Sequence, residues 1–355
     1  MKKLLLSFLL VFTLILSIFS QENTLVFVHP TAYNLALFTN LINQKIVDID
    51  NLKIIGVYHE KENYDYSKSE SFILDNNYTN IELREIKESL SPDQLFQKNN
   101  CSSVYTDLFK ESKGVFFFGG PDLPPAIYGE QMSLLTRMND PYRHYFEASF
   151  FFHLLGGSQN ENYIPLLEVN KDYTVYGICL GMQTMNIATG GTMTQDIPSE
   201  IYNLTYVEEV LASDNNNQHR NYNNNLVINS TLFSGNFHEI KINNPIPIIG
   251  DSKENLTPLV YSNHHQAIEK LGKGLSVLAT STDRKIIEAI AHKKYPNVLG
   301  IQFHPEGTYL HDFEIKYRKT PNDELNSGKQ ILIDHNSYQF HLDLWKVFSD
   351  KMNVY

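Results

Sequence analysis

The chain runs to 355 residues and carries 40 acidic against 29 basic side chains, for a formal net charge of −11. An acidic surface without basic clusters favours solubility and argues against nucleic acid and anionic membranes as partners. The chain has only two cysteines, Cys101 and Cys179, which allow at most one disulfide.

Taken in order, Met1-Lys2-Lys3 is a short basic start, Leu4 to Phe19 is apolar apart from Ser and Thr, and Ser20 precedes the polar Gln21-Glu22-Asn23. These are the three parts of a secretory signal, so residues 1–20 are expected to be cleaved, giving a secreted or periplasmic protein, or a lumenal or lysosomal one in a eukaryote. The alternative is an uncleaved anchor, for which the sixteen residues from Leu4 to Phe19 are slightly short. After cleavage no membrane association is expected. The remainder, 21–355, is long enough for one large domain or two small ones.

Leu25-Val26-Phe27-Val28 is a strand ended by His29-Pro30, and Asn34 to Lys45 carries Leu35, Phe38, Leu41 and Ile42 at helical spacing. Ile54 to Tyr58 is the next strand. Ser91-Pro92 predicts a helix start, serine as cap and proline in the first turn. Gly114 to Phe118 and Thr174 to Ile178 are apolar or β-branched strands, the first followed directly by Gly119-Gly120-Pro121. Throughout-apolar strands alternating with helices predict an α/β fold with a mostly parallel sheet covered on both faces. Active-site loops then lie beyond the carboxyl ends of the strands. The polar stretch 307–337 reads as an insertion near such a site, and Tyr338 to Lys351 as an amphipathic helix with Phe340, Leu344, Trp345 and Phe348 on one face. Asn-rich segments near 76–80 and 215–225 read as surface loops. Asn77, Asn100, Asn203, Asn229 and Asn255 begin N-x-S/T patterns, which matter only in a eukaryotic host.

The chemistry gathers at Tyr176-Gly177-Ile178-Cys179-Leu180-Gly181-Met182-Gln183. A strand turning sharply into a helix, with a glycine two residues to each side of Cys179, is a nucleophile elbow. It places the thiol at a helix N-terminus, where the dipole favours the thiolate. Downstream, Gly300-Ile301-Gln302-Phe303-His304-Pro305-Glu306 puts His304 and Glu306 two apart on an extended tip, facing one side. Cys179, His304 and Glu306 thus supply nucleophile, base and the group that orients the base. Since the nucleophile must be free, Cys101 is expected to be unpaired. No H-E-x-x-H or Cys–His zinc spacing occurs, so neither a metal site nor a cofactor is expected.

These residues resemble the class I glutamine amidotransferase fold, a flavodoxin-like α/β architecture, and within it the gamma-glutamyl hydrolase and gamma-glutamyl-GABA hydrolase peptidases. Three further runs carry the resemblance. They are Phe118-Gly119-Gly120-Pro121-Asp122 with Tyr128-Gly129-Glu130, Gly190-Gly191-Thr192 leading to Gln195-Asp196-Ile197-Pro198, and Tyr261-Ser262-Asn263-His264-His265-Gln266. The resemblance covers residues 24 to 306 without a break and implies a single domain over 21–355. It implies an oxyanion hole from Gly119 or Gly120 with Leu180, and substrate contacts at Gln183, Ser262, His264 and His265. Tyr261 stands where the family has Asn, and Leu180 where many relatives of the GABA-peptide branch have Arg, so the substrate of that branch is not implied.

The expected function is an exported cysteine hydrolase that cleaves gamma-glutamyl amide bonds through a thioester. Its partner is then a small gamma-glutamyl substrate, and a homodimer is allowed. Two alternatives stand beside it. One is a glutaminase that supplies ammonia; the other is an exported binding protein that has kept the fold and lost the chemistry.

Overall fold

The computed structural model describes residues 22–227, 231–243 and 257–354; the leader and the patterns at Asn229 and Asn255 lie outside the described residues. The first half alternates as expected. Strands β1 (Asn23–Val28), β2 (Leu52–His59), β3 (Ile81–Ile86), β4 (Gly114–Phe117) and β5 (Thr174–Ile178) are interleaved with helices. The helices include α1 (Ala32–Asn43), α2 (Ser67–Asp75), α3 (Ser102–Glu111), α4 (Pro141–Leu155) and α5 (Leu180–Ala188). The second half is strand-rich: β6 (Met193–Thr194), β7 (Asn236–Ile242), β8 (Leu259–Ser262), β9 (Ala267–Ile268), β10 (Leu275–Ser281), β11 (Ile287–His292), β12 (Val298–Ile301), β13 (Lys316–Tyr317) and β14 (Asn326–Ser327).

Ten strands form one sheet in the order β3-β2-β1-β4-β5-β12-β11-β10-β7-β8. From β3 to β12 every pairing is parallel. From β12 to β8 every pairing is antiparallel. The chain winds outward from β1 through β2 to β3, then returns to place β4 on the other side of β1. That reversal opens a crevice at the carboxyl ends of β1 and β4, the usual place for a site in such a sheet.

Alternation along the parallel strands fills two cores. Phe116 of β4 points to the layer holding Phe27, Phe38, Tyr176, Trp345 and Phe348, and Phe117 to the layer holding Phe150, Phe151, Met182 and Met185. The first layer is closed by α1 and the C-terminal helix Tyr338–Asn353, the second by α4 and α5. The C-terminal helix buries Phe340, Leu344, Trp345 and Phe348, the stripe that its sequence predicts.

Ser91-Pro92 begins only a 3₁₀ turn, Pro92–Gln94. The Ser91 hydroxyl bonds the Asp93 carboxylate, not a backbone N–H, and no apolar periodicity follows to carry a longer helix. Stretch 307–337 contains a 3₁₀ turn, the β13–β14 ribbon and the short helix Gly328–Asp334.

Candidate active site

The crevice is a cleft of about 380 Å³ whose lining includes Cys179, Gly119, Gly120, His304 and Glu306. Each comes from the carboxyl end of a central strand: Gly119-Gly120 from β4, Cys179 from β5, and His304 with Glu306 from β12.

Cys179 is the turn residue between β5 and α5, at φ 51° and ψ −103°. The positive φ of the turn falls on the cysteine itself and on neither flanking glycine. The glycines serve space instead. A Cβ on Gly177 would stand 2.7 Å from the Gly181 carbonyl carbon, and one on Gly181 would stand 2.6 Å from the Phe117 oxygen. His29, at the tip of β1, is a second cleft residue with positive φ, 58°. Such strain in non-glycine residues gathers where the surroundings over-determine a site.

His304 Nδ1 donates to Glu306 Oε1 at 2.7 Å, which fixes the ring and leaves Nε2 for the nucleophile. Burial opposes a charge on His304. The neighbouring Glu306 carboxylate and Cys179 sulfur, with hydrogen bonds to both, outweigh it and hold the pKa well above the ordinary histidine value. The geometry is that of an imidazolium held between a carboxylate and a sulfur, the arrangement that keeps a cysteine nucleophilic.

Several groups hold this tip. The His304 N–H donates to the Tyr261 carbonyl at 2.8 Å. The Pro305 carbonyl accepts from Trp345 Nε1 at 3.2 Å and from His311 Nε2 at 2.8 Å. The C-terminal helix and the 307–337 segment are thus both tied to the turn between His304 and Glu306.

The opposite wall rests on Arg143. Asp140 caps α4, accepting from the Arg143 N–H, and Pro141 follows at the first position, so Arg143 lies in the first turn. Its side chain is buried, paired with Glu147 at 2.8 Å. It donates through Nη2 to the carbonyls of Phe118 at 3.2 Å and Gly119 at 2.9 Å. A trans peptide points its N–H away from its carbonyl, so this grip also fixes the N–H groups of Gly119 and Gly120. Those two and the N–H of Leu180 donate no loop or cap hydrogen bond among the described residues. Gly119 has no room for a side chain, because a Cβ would lie 2.8 Å from His304 Cε1.

The four substrate contacts implied by resemblance are not in the cleft. Gln183 is buried in α5, its amide 3.3 Å from Gln302 Oε1. Ser262 faces His238 Nε2 at 2.8 Å, and His264 Nδ1 donates to the Gln266 carbonyl at 2.9 Å. His265 lies between two carboxylates, donating Nε2–H to Asp122 at 3.0 Å and Nδ1–H to Asp196 at 3.0 Å. Burial disfavours its charge, but the bonds to Asp122 and Asp196 raise its pKa above the ordinary value. Of that run only Tyr261 and Asn263 line the cleft. Tyr261, buried, accepts the Gly235 N–H on its hydroxyl at 2.5 Å and packs on Tyr309 with ring centroids 4.8 Å apart. Sequence reasoning missed His29, Asn34, Arg143 and Tyr309 as lining residues. Arg143 is announced only by the Asp-Pro helix start that precedes it.

Both cysteines are free, as expected. Among the described residues no helix is long and apolar enough to cross a membrane.

Comparison with known proteins agrees with this geometry. The chain is 28% identical over 191 residues to the glutamine amidotransferase-like protein YvdE of Lactococcus lactis, covering 54% of this chain and 64% of that protein. It is 27% identical over 208 residues to protein NtpR of Enterococcus hirae, covering 59% of this chain and 71% of the other. It is 30% identical over 135 residues to a glutamine-hydrolyzing GMP synthase of Francisella tularensis, over 38% of this chain and 19% of the synthase. The crystal structure of a GMP synthase component from Thermoplasma acidophilum aligns over 94% of each chain at 11% identity and a TM-score of 0.38, too loose to add to the fold described above. Peptidase C26 matches residues 53–306, from β2 through all three residues of the triad. The chain therefore belongs to the Peptidase C26 family, on a class I glutamine amidotransferase-like fold.

Proposed function

We propose that this protein is an exported hydrolase of gamma-glutamyl amide bonds, working through a thioester on Cys179. The observation that carries the reading is the Cys179–His304–Glu306 line at the floor of an open cleft, bordered by N–H groups with no backbone partner. In the reaction the Cys179 thiolate adds to the side-chain carbonyl of the glutamyl group. The N–H groups of Leu180 and of Gly119 or Gly120 take the negative oxygen. His304 gives its proton to the departing amine, which leaves the thioester. It then removes a proton from water, which attacks the same carbon and releases glutamate. Glu306 holds the ring in one tautomer throughout.

Support for the gamma-glutamyl group comes from the five motifs and from family membership. Support for export comes from residues 1–20. A second reading, glutamine hydrolysis that feeds ammonia to a synthase, is favoured by the match to a glutamine-hydrolyzing synthase. The two readings share the thioester and differ in what leaves, an amine or ammonia.

The test is mass spectrometry of purified protein with gamma-glutamyl amines, gamma-glutamyl peptides, their alpha-glutamyl isomers and glutamine. Gamma-selective amine release, abolished in Cys179→Ala and reduced about 10²–10⁴-fold in His304→Ala, is expected. Ammonia release from glutamine alone selects the second reading. Tight binding of a gamma-glutamyl compound by wild type and Cys179→Ala alike, without turnover by either, would establish a silent binder. N-terminal sequencing from the natural host should begin near Gln21, and an intact Met1 would overturn export.

A further inference from the structure

Behind the cleft wall lies a cluster that the amide chemistry does not use. His219, His238, His264 and Glu288 are all buried, and each offers one donor atom such that the four lie within 4.8 Å of one another. They come from four places. His219 precedes the 3₁₀ turn Tyr222–Asn225, His238 is on β7, His264 follows β8, and Glu288 is on β11.

Much of the hydrogen-bonding capacity of the cluster is unused. Both ring nitrogens of His219, Nε2 of His264 and both oxygens of Glu288 are buried without a hydrogen-bond partner. His219 Nδ1 approaches Glu288 Oε1 to 3.2 Å, near enough for an ion pair but not aligned as a hydrogen bond. Five unpaired polar atoms in one place is far from the ordinary state of a protein interior. Glu288 has no lysine or arginine within ion-pair distance among the described residues, so no permanent cation there offsets a buried carboxylate charge. Two of the three rings are held by neighbours, His238 also through Nδ1, 3.4 Å from the Glu239 carbonyl. His264 Nδ1 donates to the Gln266 carbonyl at 2.9 Å, which leaves Nε2 as a lone pair facing inward, and Ser262 Oγ stands 2.8 Å from His238 Nε2. Histidines fixed by a second bond on the far nitrogen are how metal-binding rings are oriented.

We propose that His219, His238, His264 and Glu288 bind one late first-row divalent cation, zinc in ordinary media, as a closed structural site. Three imidazoles and a carboxylate are a donor set suited to such ions, and four protein ligands leave no position for substrate. Bound there, the metal would tie β7, β11, the turn after β8 and the loop at His219 into one unit. That unit supports the wall presenting Tyr261 and Asn263 to the cleft.

The experiment uses the full chain purified without a polyhistidine tag or chelator, with metal content measured by plasma mass spectrometry. About one zinc per chain is expected. Removal with dipicolinate should lower Tm by several degrees, and equimolar ZnCl₂ should restore it. Cobalt substitution should give visible bands of a tetrahedral nitrogen–oxygen site without the intense sulfur-to-cobalt band that coordination by Cys179 would produce. Cys179→Ala should keep its metal, Glu288→Gln and His264→Ala should lose it, and Ser262→Ala should bind about 10–100-fold more weakly. If the ligand variants do not fold, the wild-type cobalt spectrum decides. Wild-type protein that holds no metal and whose Tm is indifferent to added zinc overturns the proposal. So does a metal that disappears with Cys179→Ala, and neither result bears on amide hydrolysis.

Discussion

Cys179 and Cys101 show how placement alone separates two identical side chains. Cys101 is fully buried, its thiol donating to the Glu88 carbonyl at 3.4 Å, and burial pushes its pKa up to about 11. Cys179 has His304 beside it, a ring kept cationic by Glu306. In native protein at mildly acidic pH, brief iodoacetamide treatment followed by peptide mapping should label Cys179 and spare Cys101; equal labelling would remove the basis for an activated nucleophile. Gly119 tests the geometry from the other side. In Gly119→Ala the new methyl meets His304 Cε1 at 2.8 Å, so the ring must turn away from the sulfur. A displacement of that order costs about 10² in turnover. We expect kcat/KM to fall by that factor while the circular dichroism spectrum stays unchanged; full activity would mean that the ring has slack.

Elements are legible in the sequence where the physics is local. The strand–Cys179–helix turn occupies eight consecutive residues, so its glycines, its apolar strand and its helix can be read together. The stripe Phe340, Leu344, Trp345, Phe348 is legible for the same reason. Ser91-Pro92 misleads because a cap and a proline fix only a turn, and a helix also needs an apolar face to bury. Resemblance of the run assigns Ser262, His264 and His265 to substrate, but alternation and the turn after β8 send them behind the wall. The His219–Glu288 cluster has no local signature, and Arg143 only the Asp-Pro helix start before it, because their partners come from distant elements and only packing brings them together. The C-terminal helix also has a role its pattern does not reveal: Trp345 is bound to the Pro305 carbonyl between His304 and Glu306. Trp345→Phe keeps most of the buried ring and removes that donor. It should cost about 1 kcal/mol of stability, read as a lower Tm, and reduce kcat more than it changes KM. A drop in Tm with kcat unchanged would show that His311 alone suffices to hold the turn.

At the scale of the molecule the two halves of the sheet divide the work. The parallel half supplies the tips that carry Cys179, Gly119 and His304, and the antiparallel half supplies the wall behind them. His265 is a clasp between them. From the turn after β8 it reaches Asp122, in the loop that follows β4, and Asp196, the cap residue after β6. The clasp is charged, and its pH dependence has a definite sign. The folded pKa of His265 is raised above the unfolded value of about 6.5, so its contribution is complete below that pH and is lost as pH rises through the folded pKa. Burial works against a charged Asp196, but its bonds to His265 and Ser199 depress its pKa, so its contribution is lost only as pH falls through that low value. Arg220 opposes the His265 charge without reversing the shift. Thermal unfolding of wild type and His265→Gln across pH 4.5 to 9 isolates the clasp, since the two proteins share every buried titration outside His265 and its two carboxylate partners. The Tm difference should be several degrees at pH 5 to 6 and shrink as pH rises through the raised folded pKa of His265. A difference that stays constant across that range would mean that His265 acts by packing alone, and the charged tie between the two halves would have to be abandoned.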